Sequence, residues 1–159
     1  MPIKQLKTIF IYDIIKVDLK LSTCEGTMIY MHENIQKLIQ KFHLTQNDID
    51  NLKSTPFLTL PPPIINAGRL LKKVKINDIV GSTRPDMDYK NFYEFFNSFH
   101  KFYLLDKNFN HVINNPIYNN FPEVLLVEDK YYICGDGKHR IILSMLNQID
   151  EITCAVFKL

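Results

Sequence analysis

What this sequence lacks narrows its reading first. Its three cysteines, Cys24, Cys134 and Cys154, form no CxxC pair and no zinc-ligand spacing, and their odd number argues against a disulfide framework. A reduced, cytoplasmic setting is therefore the expectation. No uninterrupted apolar run approaches the ~20 residues needed to span a bilayer, so no membrane partner is expected. Asp13 breaks the basic and apolar segment from Lys4 to Ile15, and no small-residue cleavage site follows, which argues against a signal peptide. The net charge is only +2, so no global field recruits nucleic acid or membrane, and any recognition of anions has to be local.

What is present suits one domain of ordinary size with decoration. With 159 residues, of which 46% are hydrophobic, the chain can bury a real core. Strict alternation from Ile15 to Leu21 predicts a half-buried strand. Together with Thr8 to Tyr12 it suggests a hairpin or bent strand. Ile35, Leu38, Ile39 and Phe42 recur at helical spacing within Asn34 to Phe42. Thr45, with Asp48 three residues on, then signals the capped start of a second short helix. The pair has the rhythm of a helix-turn-helix, but its second helix would present Gln46, Asn47, Asp48, Asp50 and Asn51, with too few cations to hold a phosphate backbone. Two helices packed on the main domain are the preferred expectation.

Leu60-Pro61-Pro62-Pro63 is the clearest break, because three prolines enforce extended backbone and remove ladder donors. It divides the chain into an N-terminal strand and helix extension, 1–63, and a second part, 64–159. Arg69, Lys72, Lys73 and Lys75 read as a solvated surface. Val74 to Val80 reads as a strand closed by Gly81-Ser82-Thr83-Arg84-Pro85, which puts Arg84 in a loop just past a strand end. From Tyr89 to Leu105 the chain is aromatic at helical spacing, with Phe92, Phe95, Phe96, Phe99 and Phe102 on one face. Such a stripe is core far more often than a stacking platform. Asp106 to Asn120 is Asn-rich and reads as a long irregular connection or lid. Val124 to Val127 and Tyr131 to Cys134 form a hairpin, Lys138 to Gln148 a helix, and Ile152 to Phe157 a closing strand. This order defines an α+β domain.

The most informative stretch is Gly135-Asp136-Gly137-Lys138-His139-Arg140, where an apolar strand stops and an amphipathic helix begins. Unpaired N–H groups, the positive end of the helix dipole and three cationic or potentially cationic side chains converge there, as in an anion-binding turn. A Walker P-loop fails, since Tyr132 stands where its first Gly belongs and His139 where Ser or Thr belongs. The dinucleotide fingerprint fails at Arg140, where a third Gly is needed. A zinc site on Cys134 and His139 has no second ligand pair in register. What remains is a turn in which Gly135 and Gly137 allow close ligand approach, Lys138 adds a mobile charge and Arg140 a planar fork. Positive charge at a helix start opposes the dipole, and a local rule broken at one place hints at function.

These residues, with the apolar helix behind them and Glu151-Ile152-Thr153-Cys154-Ala155-Val156, resemble the ParB/sulfiredoxin superfamily, whose members include ParB-like nuclease domains. Val74 to Pro85 resembles the family's opening strand and Arg-containing box, and Phe121 to Val127 its Pro-led strand. The likeness covers Val74 to Leu159. It implies a sulfiredoxin-like fold, a small mixed sheet with packed helices, whose turn Gly135, Gly137, Lys138, His139 and Arg140 binds nucleotide phosphates, with Arg84 as a second cation. Sulfiredoxins carry a reactive Cys in the place of Lys138, so sulfinic-acid reduction is not expected. The Asp-Gly-x-His-Arg form is closest to the free-serine-kinase branch. That branch implies ATP, ADP or CTP with magnesium, and phosphate passing to a small hydroxyl-bearing substrate or to water. In this reading Asp136 orients magnesium or His139, both have catalytic roles, and Asp86 or Asp88 supplies the base; no dedicated protein metal site is expected. The alternative is a non-enzymatic adaptor or DNA-associated regulator switched by nucleotide.

Overall fold

Among the described residues, 58–158 build one mixed six-stranded sheet. Its strands are β1 (Leu58–Thr59), β2 (Leu70–Lys75), β3 (Ile79–Ser82), β4 (Glu123–Val127), β5 (Lys130–Ile133) and β6 (Glu151–Lys158). They lie in the order β1-β3-β5-β4-β6-β2. The computed structural model describes residues 33–65, 68–107 and 120–158. The strands expected within Thr8 to Leu21, and residues 108–119 of the Asn-rich connection, lie outside the described residues. Four α-helices are described: α1 (Glu33–Phe42), α2 (Gln46–Ser54), α3 (Phe92–Asn97) and α4 (Lys138–Leu146). The result is a mixed α+β fold. None of the described helices is long and apolar enough to cross a membrane.

The β4–β5 hairpin turns over two residues, Val127 pairing with Lys130 and Glu128 taking φ 48°. From β5 the chain runs through α4 and returns as β6, which pairs parallel with β4. β3 and β5 are also parallel, so both strands end on the same side, where α4 begins. Ligands of open sheets with helical crossovers collect outside such carboxyl ends.

Two expectations change. Val74 to Val80 is not one strand. β2 stops at Lys75, a 3-10 turn occupies Ile76–Asp78, and β3 follows on the far side of the sheet. Val74, Ile76 and Ile79 are all buried, so a turn whose apolar side chain faces the core mimics the alternation of a continuous strand. The helical spacing from Tyr89 to Leu105 also breaks. α3 spans six residues, from an Asn91 N-cap whose side chain accepts from the Glu94 N–H, to Ser98, whose hydroxyl donates to the Phe95 carbonyl at 2.6 Å. A separate 3-10 turn, Phe102–Leu104, then follows.

The aromatic stripe is core: Phe92, Phe95, Phe96 and Phe99 are buried, and Phe57 stacks on Phe95 at 4.7 Å. Ile35 and Leu38 of α1 are fully buried in the same cluster, and the Ile35 N–H donates to Asn97 Oδ1 at 3.1 Å. Thr45 and Asp48 form a reciprocal capping box at the start of α2. The core therefore draws residues from both sides of the prolines, and β1, just before them, pairs with β3.

Candidate functional site

Backbone bonds lash the turn after β5 to the start of β4. The Cys134 N–H donates to the Glu123 carbonyl at 3.0 Å, and the Glu123 N–H donates to the Asp136 carbonyl at 2.9 Å. Gly137 then takes φ 115°, a left-handed conformation, and its hypothetical Cβ would lie 2.5 Å from Pro122 Cα. Only glycine satisfies both demands. A Cβ on Gly135 would meet the Glu123 carboxylate at 1.8 Å. Among the described residues no side chain caps the start of α4.

A second tie comes from β3. The buried Ser82 hydroxyl donates to the Ile133 carbonyl at 2.7 Å, which also accepts the Thr83 N–H at 2.9 Å. Ser82 Oγ in turn accepts the Arg84 N–H at 3.0 Å. These bonds aim Arg84 at the turn, where its Nη1 donates to the Gly135 carbonyl at 2.9 Å. Its Nε and Nη2 donate to Asp86 Oδ1 and Oδ2 at 2.9 and 2.7 Å, a forked ion pair. This pairing holds the Asp86 carboxyl below its usual range and raises Arg84 above its own.

His139 is only 8% exposed. Its ring stands edge-on to Phe99 at 5.1 Å and to His100 at 4.3 Å. Burial, aided by the nearby His100 and Lys138, pushes its pKa down to about 3. It is thus a neutral imidazole near pH 7, and its buried Nδ1 has no hydrogen-bond partner among the described residues. An orphaned buried polar atom costs about 1–3 kcal/mol. Arg140 donates through Nη1 to the Asn120 carbonyl. Burial lowers its pKa while Asp136 opposes that shift.

Around these groups opens a cavity of about 680 Å³ whose lining includes Arg84, Asp86, Asp136, Gly137, Lys138, His139 and Arg140. Asp88 is not part of that wall; its Oδ1 accepts from Thr59 Oγ1 at 3.4 Å. Gly135 contributes its carbonyl to Arg84 rather than a wall. Met87, His100, Lys101, Tyr103, Leu104, Lys107 and Asn120 complete the cavity, and sequence reasoning missed all seven. For the stretch from His100 to Lys107 the available signal was the pair of lysines, Lys101 and Lys107, just past the end of α3. A second cavity, of about 650 Å³, is lined mainly by apolar residues such as Phe42, Leu52 and Phe96, and includes none of the expected site residues.

The two described thiols are poor nucleophiles. Burial and Glu123 push Cys134 up to about 11, and burial pushes Cys154 up to about 12. No cluster of three or more His, Cys, Asp or Glu side chains among the described residues is placed to hold a metal ion. No family model matches the chain, and no curated protein or solved structure matches it.

Proposed function

We propose that the chain binds a nucleotide such as ATP, ADP or CTP through its phosphates in the cavity at the start of α4, and transfers or hydrolyses the terminal phosphoryl group. The observation that supports this is the charge of the cavity wall: Arg84, Lys101, Lys107, Lys138 and Arg140 line it with Asp86 and Asp136, beside a helix start with no side-chain cap among the described residues. Such a wall favours a polyanion, and about 680 Å³ falls within the ~300–1,000 Å³ common for small-molecule sites. Charged hydrogen bonds contribute about 1.5–3 kcal/mol each and the helix dipole about 0.3–1. Lys138, Arg140 and Arg84 would therefore carry most of the affinity.

Neutral His139 would offer a single hydrogen bond instead of charge. In the transfer step Asp86, once Arg84 turns toward phosphate, would take the proton of a small alcohol or water. The oxygen so freed bonds to the terminal phosphorus as the bond to the bridging oxygen breaks, and positioning with charge neutralisation lowers the barrier. Magnesium fits this donor set, since it needs only one or two carboxylates beside phosphate oxygens. Asp136, exposed at the cavity, would hold it, and the ion when bound would neutralise phosphate charge.

Calorimetry of the full chain with ATP, ADP and CTP in magnesium buffer, followed by phosphate-release and phosphate-transfer assays, tests the reading. Binding of at least one nucleotide is expected. The absence of binding to all three would overturn the reading, and binding without turnover would reduce it to a nucleotide switch.

A further inference from the structure

The cavity wall holds one side chain that phosphate recognition does not explain, the aromatic ring of Tyr103. In the 3-10 turn after α3, Phe102 packs edge-on against Phe99 at 5.5 Å, and Lys37 Nζ lies 4.9 Å from the Phe102 ring centroid. Phe102 thus anchors the turn on the protein body. The next residue, Tyr103, lines the cavity with 59% of its surface exposed. Lys107 Nζ stands over the Tyr103 ring, 5.4 Å from its centroid. A bare polyphosphate has no use for an exposed aromatic ring, whereas a planar base does, because every base presents a π-face.

We infer that Tyr103 is the stacking platform for the nucleobase, with Lys107 holding one face of the ring and the base covering the other. This rests on the phosphate-site reading above and deepens it. The ligand class becomes a nucleoside di- or triphosphate instead of inorganic polyphosphate. Stacking on a ring reads flatness and not hydrogen-bond pattern, so discrimination among bases should be weak. Tyr103 would thus set the preference for a nucleotide over bare polyphosphate and not the choice of base.

The test compares magnesium-ATP with inorganic tripolyphosphate by calorimetry on the full-length wild type, Tyr103→Ala and Tyr103→Phe. Expected is tighter wild-type binding of ATP than of tripolyphosphate. Tyr103→Ala should lose at least fivefold for ATP with tripolyphosphate unchanged, and Tyr103→Phe should stay within twofold of wild type for both. An equal loss for both ligands in Tyr103→Ala, or no loss for either, overturns the stacking role and leaves the phosphate site standing. Wild type that binds tripolyphosphate as tightly as ATP does the same. Wild type that binds neither overturns the stacking role, and the phosphate site falls with it when ADP and CTP also fail to bind.

Discussion

Arg84 and Asp86 form a forked ion pair, with Nε to Oδ1 at 2.9 Å and Nη2 to Oδ2 at 2.7 Å. The third edge of the guanidinium is held by the Gly135 carbonyl. An incoming phosphate must compete with Asp86 for the same fork, and success leaves that carboxylate unpaired beside the ligand. Asp86 in this state is a poor base, because Arg84 depresses its pKa. The exchange of partners is what would activate it.

Asp86→Asn should therefore split binding from turnover. Removing the competing charge frees Arg84 and should tighten nucleotide binding a few-fold, in line with the ~0–1 kcal/mol typical of an exposed pair. If Asp86 is the base, turnover should fall by ~100-fold or more. Calorimetry and a phosphate-release assay on one preparation read both quantities. Weaker binding would contradict the competition, and unchanged turnover would remove Asp86 from the chemistry.

The two glycines of the turn should respond unequally to alanine. At Gly137 the new Cβ would meet Pro122 backbone at 2.5 Å in a left-handed conformation, so neither strain can relax cheaply. Gly137→Ala should cost about 2 kcal/mol or more. At Gly135 the nearest obstacle is the Glu123 carboxylate, which can swing away and give up its 3.7 Å contact with Arg69, leaving only the tight 2.9 Å approach to Glu123 Cβ. Its cost should be smaller, about 1 kcal/mol. Urea unfolding of the two variants compares them, and a larger loss for Gly135→Ala would contradict the assignment.

Much of the site was legible because it is local. Gly135 to Arg140 is contiguous, and glycines, dipole and cations there can be read without knowing any long-range contact. Arg84 could be placed past a strand end, but that β3 lies beside β5 and delivers it to the turn through Ser82 and Ile133 depends on sheet order. The missed wall, from His100 to Lys107, follows a helix whose end is set by a Ser98 hydroxyl bonding backwards. Aromatic periodicity continues through that break and hides it. β1 was missed because Leu58 and Thr59 carry no pattern of their own; their strand character comes from pairing with Gly81 and Ser82. The Val74 to Val80 run misled for the opposite reason, since its alternation survived across a turn.

His139 should make the fold acid-sensitive. Its folded pKa is about 3, against ~6.5 in an unfolded chain. Between those values the unfolded state binds the additional proton, so the contribution is complete above pH ~6.5 and shrinks as pH falls through the window. The loss approaches about 1.4 kcal/mol per pH unit inside it. His139→Phe keeps a ring against Phe99 and removes the titration. Its urea midpoint should fall less than that of wild type between pH ~7 and ~5. Parallel losses in the two proteins would show that His139 titrates normally.

Lys138 and Arg140 give the most direct test that the turn holds phosphate. Magnesium-ATP titrated by calorimetry into wild type and the Lys138→Ala/Arg140→Ala double variant, at one fixed salt concentration, should differ by well over tenfold, as two charged hydrogen bonds of about 1.5–3 kcal/mol each require. Affinity unchanged in a folded double variant would contradict a phosphate site at the start of α4.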